Sequence, residues 1–176
     1  ATAYAARGAR YTGEPAGETP LPRIEPPARW REPARRVCGE GPYAVLAPGA
    51  VYGSSKVWPA ARFSELARRL AAGLELRSIV VGSAAERERG ERIAASSGKA
   101  AESRAGALSL EELLAVLAAA RVVVGNDSGP VHAAAALGTP TVAVFGPTSA
   151  DWTAPRGRAV RIVRAAIECA PCFRRE

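Results

Sequence analysis

Four stretches of the chain, "YAVLA" (43–47), "SIVVG" (78–82), "RVVVG" (121–125) and "TVAVF" (141–145), are short apolar runs without the polar alternation of a half-exposed strand. A strand that is apolar on both faces has to be covered on both, as in a parallel sheet flanked by helices. The intervening segments read as those helices. After Pro59, Phe63, Leu66, Ala67 and Leu70 recur at i, i+3, i+4 and i+7, with Gly73 as the stop. "SAAERERGERIAASSG" reads as a charged, mostly exposed helix, and Ser109 with Glu112 makes a capping box ahead of Leu110, Leu113, Leu114 and Leu117. Another helix opens near Ser128 and is ended by Gly138 and Pro140, and "AVRIVR" (159–164) adds a last strand. From Tyr43 onward strand and helix alternate, so the predicted fold is α/β, a doubly wound parallel sheet of Rossmann-like type.

Residues 1–42 are rich in Pro, Gly and Arg and read as an extended connection with a short helix near Pro33 to Val37. The net charge of +7 admits an anionic partner: nucleic acid, a phosphorylated small molecule or an acidic membrane surface. Nearly all of it is arginine, and Lys56 and Lys99 are the only lysines. No stretch approaches the roughly 20 apolar residues of a membrane span, and the N-terminus lacks a signal-peptide pattern, so a cytoplasmic protein is predicted. Cys38, Cys169 and Cys172 are odd in number, and the C-x-x-C of "CAPCF" has no second pair to complete a metal site, so these read as ordinary thiols. The chain contains no methionine, which reads as a piece of something longer.

In this fold class ligands bind beyond the carboxyl ends of the strands. The third apolar run leads into "GNDSGPVH", where Asp127, Ser128 and Gly129 open a helix. A helix N-terminus attracts phosphate, Gly129 permits close approach, and Asp127 beside such a site would hold ligand hydroxyls or a cation. Plain capping by Asp127 or Ser128 is the competing reading. His132, the only histidine, lies one turn in, and either points back to the same mouth or packs. "PGAVYGSSKVWP" brings Ser54, Ser55 and Lys56 ahead of a helix without the spacing of a P-loop. Lys56 is read either as a compact ammonium for an anion or as a solvated surface lysine. After the second strand, Gly82 and Glu86 stand at the loop, where an acid can accept ribose hydroxyls; Glu88 reads as an exposed helix face. Gly146, Pro147 and Thr148 complete the rim.

Taken together, "PGAVYGSSKVWP", "VVGSAAERE", "SLEELLAVLAAA", "VVVGNDSGPVHAAAALGTPTVAVFGPTS" and "ECAPCFRRE" resemble the carboxyl-terminal domain of the ADP-heptose:lipopolysaccharide heptosyltransferases, family 9 inverting glycosyltransferases of the two-domain GT-B fold. The resemblance implies a nucleotide-sugar (donor) binding domain over 43–176, truncated at its C-terminal end, with residues 1–42 a linker and remnant of the N-terminal acceptor domain. It implies transfer of heptose from ADP-heptose to the lipopolysaccharide inner core, with Lys56 at the diphosphate, Glu86 at the ribose and Asp127 at sugar hydroxyls. Ser128 and Gly129 would offer N–H groups to the phosphates, and His132 would shape the pocket. No metal or other cofactor is implied. The acceptor-activating aspartate and the lipid-linked acceptor would belong to the N-terminal domain, so these residues alone would be inactive. Contact with the cytoplasmic face of the inner membrane is a further expectation. The same fold could serve a different nucleotide sugar. From another class, Arg29, Arg31, Arg35 and Arg36 with Arg156, Arg158, Arg161 and Arg164 could make a nucleic-acid patch, but no recognition motif or stacking platform accompanies them and no nucleic-acid partner is expected.

Overall fold

The apolar runs become the centre of one parallel sheet in a computed structural model that describes residues 20–51, 53–164 and 168–174. Its strands are β1 (Tyr43–Ala47), β2 (Arg77–Val80), β3 (Ala101–Ser103), β4 (Val122–Asn126), β5 (Thr141–Phe145) and β6 (Val160–Arg164). Their spatial order is β3-β2-β1-β4-β5-β6, and every neighbouring pair is parallel. The helices are α1 (Arg31–Cys38), α2 (Ala60–Leu74), α3 (Arg87–Ser97), α4 (Leu110–Ala119), α5 (Gly129–Ala136) and the short α6 (Ala150–Thr153).

Because consecutive strand residues point to opposite faces, each run feeds two cores. Val45, Ile79 and Val123 pack with Val116 and Leu117 of α4 and Val131 and Ala134 of α5. Leu46, Val80 and Val124 pack with Phe63 and Ala67 of α2 and Ile93 of α3. Burying each of these large aliphatic or aromatic side chains contributes about 1.5–3 kcal/mol before entropy is charged against it. The order of the strands turns around between β1 and β4, so the loops leaving those two strands diverge and leave a crevice at the carboxyl edge.

Gly125 allows α5 to sit against that edge. A Cβ there would lie 2.8 Å from the Ala47 Cβ and 2.9 Å from a Val131 methyl, so only a glycine lets β1, β4 and α5 meet. The alanines of α5 extend the same close approach, with Ala134 and Ala135 buried.

Three sequence expectations are corrected. The sheet has a sixth strand, β3, which is three half-buried residues long and has no apolar run to announce it. Gly73 does not stop α2: the helix runs through it to Leu74, and Glu75 turns left-handed at φ 54° while the Leu76 N–H closes on the Leu70 carbonyl at 3.1 Å. The helix expected near Pro33 to Val37 is longer, because α1 packs its buried Ala34 against Ala115 of α4. Of the connection expected over 1–42, residues 1–19 lie outside the described residues. From Pro20 it is tied down: Arg156 Nη2 donates to the Pro20 carbonyl at 3.0 Å, and the Ile24 N–H donates to the carbonyl of Ala136 at the end of α5 at 2.8 Å.

Candidate functional site

The last backbone contact of β4 fixes the centre of the site. The Asp127 N–H donates to the Val144 carbonyl at 3.2 Å, carrying the β4–β5 ladder one residue past the strand, and the side chain projects from that anchored point at 6% exposure. Its Oδ2 receives Lys56 Nζ at 2.5 Å, Thr148 Oγ1 at 2.9 Å and Thr153 Oγ1 at 3.3 Å, while Oδ1 faces His132 Nε2 at 3.4 Å. Four segments thus converge on one carboxylate: the turn Ser54–Lys56 after β1, the loop after β5, α6 and the first turn of α5.

Burial alone would push the Asp127 carboxyl up. The hydrogen bonds from His132, Lys56 and Thr148, with the Lys56 charge, outweigh that and hold it at about 2. Asp127 is therefore a charged acceptor at neutral pH and a poor proton acceptor in chemistry.

Ser128 is the residue before α5, yet its side chain makes no cap; its hydroxyl donates back to the Asn126 carbonyl at 3.1 Å. Capping is thus not what Asp127 or Ser128 does here, and the positive end of α5 is left toward the cleft. A Cβ added at Gly129 would meet nothing within 4 Å, so that end is open to a ligand. Lys56, Asp127, Ser128, Gly129 and His132 line a cleft of about 590 Å³ together with Pro22, Ala136, Trp152, Thr153, Ala154 and Arg156.

The other residues singled out from sequence do not line this cleft. Ser55 Oγ donates to the Arg174 carbonyl at 2.6 Å, and the Phe173 N–H donates to the Pro147 carbonyl at 2.9 Å, so the tail fastens the loops after β1 and β5 together. Ser54 belongs to the turn that carries Lys56, and Gly146 backs that turn, its Cβ position lying 3.0 Å from the Ser55 carbonyl oxygen. Glu86 does sit at the loop after β2, where its Oε2 accepts from the Ser83 N–H (2.6 Å) and hydroxyl (2.9 Å). Its Oε1 occupies the space a Gly49 side chain would need, 1.6 Å from that Cβ position, and Gly82 adjoins the same carboxylate. Glu88 pairs with Arg92 on an exposed face, as expected of a solvated acid.

Sequence reasoning assigned none of Asn126, Thr153, Trp152 and Arg156 to the site, Arg156 being read only as part of the basic patch. Asn126 stood in the quoted motif, but its burial was not legible; the other three follow a loop whose path only the fold fixes. Cys38 is buried, Cys169 exposed and Cys172 half-buried, all as thiols. Of the arginines that could have formed a patch, Arg29, Arg35 and Arg36 are paired with Glu111, Glu40 and Glu112. Among the described residues no helix is long and apolar enough to cross a membrane.

A family model described as glycosyltransferase family 9 (heptosyltransferase) matches residues 11–176. The chain is 37% identical over 130 residues to lipopolysaccharide heptosyltransferase 2 of Salmonella typhimurium, covering 71% of this chain and 37% of that protein. It is 42% identical over 135 residues to lipopolysaccharide heptosyltransferase 1 of Pseudomonas aeruginosa, covering 76% and 37%. The structure of E. coli ADP-heptose lipopolysaccharide heptosyltransferase II superposes with a TM-score of 0.75 at 30% identity, over 85% of this chain and 48% of that one. An E. coli heptosyltransferase solved with ADP gives a TM-score of 0.65 at 27% identity, over 89% and 47%. The chain spans well under half the length of the curated relatives it matches.

Proposed function

The chain belongs to glycosyltransferase family 9, the heptosyltransferases, and from that premise we propose that residues 43–176 form the donor-binding part of an enzyme that transfers heptose from ADP-heptose to the lipopolysaccharide inner core. The observation that carries the reading is the Lys56–Asp127 pair at the uncapped N-terminus of α5. A diphosphate needs positive charge and fixed donors, and a sugar needs a hydroxyl acceptor; the cleft presents both within one cluster.

In inverting transfer the acceptor oxygen bonds to the anomeric carbon as the bond from that carbon to the diphosphate oxygen breaks, and the electron pair leaves on ADP. Negative charge grows on the departing diphosphate, where Lys56 and the α5 N–H groups are preorganised to meet it. Lys56 would exchange its bond to Asp127 for one to phosphate, freeing the carboxylate for sugar hydroxyls. Thr148 and Thr153 would keep Asp127 oriented during that exchange. Asp127, held at about 2, is unsuited to deprotonate the acceptor. We assign that base and the lipid-linked acceptor site to residues outside 43–176.

The reading needs no metal, since Lys56 and the helix end supply the positive charge; an unchanged ADP affinity in EDTA is the expected result. Calorimetric titration with ADP, ADP-heptose and UDP tests the function. Selective binding of the adenine nucleotides supports it, UDP binding as tightly would move the donor to another nucleotide sugar, and no binding by any of them would overturn it. Contact with the cytoplasmic face of the inner membrane, expected of the parent enzyme, is tested by flotation with acidic liposomes.

A further inference from the structure

Among the described residues of the segment between β1 and α2, 48–59, a single turn of regular structure is found, Ser54–Lys56. Left to itself such a segment would spread Lys56 over many positions, and fixing it costs backbone entropy at every residue. One side chain bonds to both ends of the segment, while Arg89 adds a longer bond to the Pro48 carbonyl alone, at 3.3 Å. Asn126, fully buried at the end of β4, donates through Nδ2 to the Pro48 carbonyl at 2.8 Å and accepts at Oδ1 from the Trp58 N–H at 3.0 Å; the Gly49 carbonyl lies 3.5 Å from Nδ2. A carbonyl only accepts and an N–H only donates, so the amide has one orientation that satisfies both.

The two anchored points lead to the two polar groups of the proposed donor site. Trp58 is two residues beyond Lys56, whose ammonium reaches Asp127, the residue after Asn126. Gly49 follows Pro48 and is in contact with the Glu86 carboxylate, on the opposite side of the segment. We propose that Asn126 is a positioning residue, whose carboxamide closes the loop after β1 so that Lys56 and Glu86 are held in register for one ligand. It touches neither reacting group, and its consequence for catalysis rests on the donor-site reading above.

The Trp58 ring packs edge-on to Phe63 with centroids 4.9 Å apart, so the exit of the loop keeps an apolar anchor when the amide is lost. Asn126→Asp keeps the shape and the acceptor but sets an oxygen against the Pro48 carbonyl; Asn126→Ala removes both bonds.

The two lysines of the chain make the effect directly readable. Reductive methylation with 13C-formaldehyde and a borane reductant labels Lys56, Lys99 and the N-terminal amine, and the Lys56 signal is identified by its loss in Lys56→Arg. In the parent chain the Lys56 methyl signal should stand apart from the exposed Lys99 signal and label more slowly. In both Asn126 variants it should move toward Lys99 and label faster, and ADP should bind about tenfold more weakly, a loss of about 1.4 kcal/mol. Leu114→Ala, which opens a cavity between α1 and α4 in a cluster that holds no residue of this loop, should lower stability and leave the Lys56 signal in place.

Folded Asn126 variants with an unmoved Lys56 signal overturn the proposal. So does failure of both variants to fold, which would make the amide a determinant of the fold as a whole. A Lys56 signal that moves while the parent chain binds no ADP keeps the positioning role and overturns the donor-site reading instead.

Discussion

Lys56 Nζ lies 2.5 Å from Asp127 Oδ2, and the two side chains are 12% and 5% exposed, so the charges at the head of the cleft neutralise each other before any anion arrives. Such a pair differs from a surface salt bridge: each partner has given up most of its water, and the attraction between them offsets that loss.

Removing one partner should therefore cost more than removing both. Lys56→Met leaves a buried carboxylate with its threonine and histidine contacts only and is expected to cost about 2 kcal/mol, less than the 3–5 of a wholly orphaned charge. Asp127→Asn should cost less, since an amide can still accept from Thr148. Urea unfolding of the two single variants and the double variant gives the coupling, expected at about 1–3 kcal/mol. A coupling below about 0.5 kcal/mol would class the pair with exposed salt bridges.

The same contacts set an acid limit. Asp127 is held at about 2, below the ordinary 3.8, so protonation favours the unfolded chain. Its contribution, about 2 kcal/mol from the difference of the two values, is present above pH 4 and is lost as the pH falls from about 4 to about 2. Glu112, held at about 2 by its capping bonds to Ser109 and its bond from Arg36, titrates in the same window. The difference between the parent chain and Asp127→Asn isolates the aspartate: it should shrink toward pH 2, as followed by thermal unfolding. A difference independent of pH would mean that Asp127 is not ionised against Lys56.

Much of this arrangement was legible in the sequence. The apolar runs gave the order of elements and the parallel sheet, because a strand buried on both faces leaves no polar alternation. Lys56, Asp127, Ser128, Gly129 and His132 were recognisable as a group because the topology collects strand ends at one edge. The structure redistributes the rest by side-chain direction. The Ser55 hydroxyl bonds the tail instead of facing the cleft, and Thr148 reaches Asp127 from within the buried loop. Asn126 could not be ranked above its neighbours, since a buried amide and an exposed one are spelled alike. Ala101–Ser103 joins the sheet by a short backbone ladder to β2 without an apolar run of its own, which periodicity does not register.

Glu86 and Gly49 give a test of the ribose side. A methyl at Gly49 falls 1.6 Å from Glu86 Oε1, but that oxygen ends a flexible side chain, so Gly49→Ala should displace the carboxylate at little cost to the fold. If Glu86 holds the ribose hydroxyls, Gly49→Ala and Glu86→Gln should both reduce the preference for ADP over 2′-deoxy-ADP, by about five- to tenfold in calorimetric affinity, roughly one net hydrogen bond. A preference unchanged in both variants would restrict Glu86 to capping the turn at Ser83.

The division of labour between Lys56 and Asp127 yields the last expectation. Lys56 is assigned to the diphosphate, which ADP and ADP-heptose share, so Lys56→Ala should weaken both by a similar factor, about ten- to a hundredfold or 1.4–2.7 kcal/mol. Asp127 is assigned to the sugar, which ADP lacks. In Asp127→Asn the ammonium of Lys56 is released from its partner and remains available to phosphate, so ADP should bind as well as before or somewhat better. ADP-heptose should lose whatever advantage it has over ADP, because a neutral amide accepts from sugar hydroxyls more weakly than a carboxylate does. The readout is the ratio of the two affinities in each variant. Equal losses for both ligands on changing Asp127 would mean that the carboxylate supports the diphosphate end through Lys56 and does not contact the sugar.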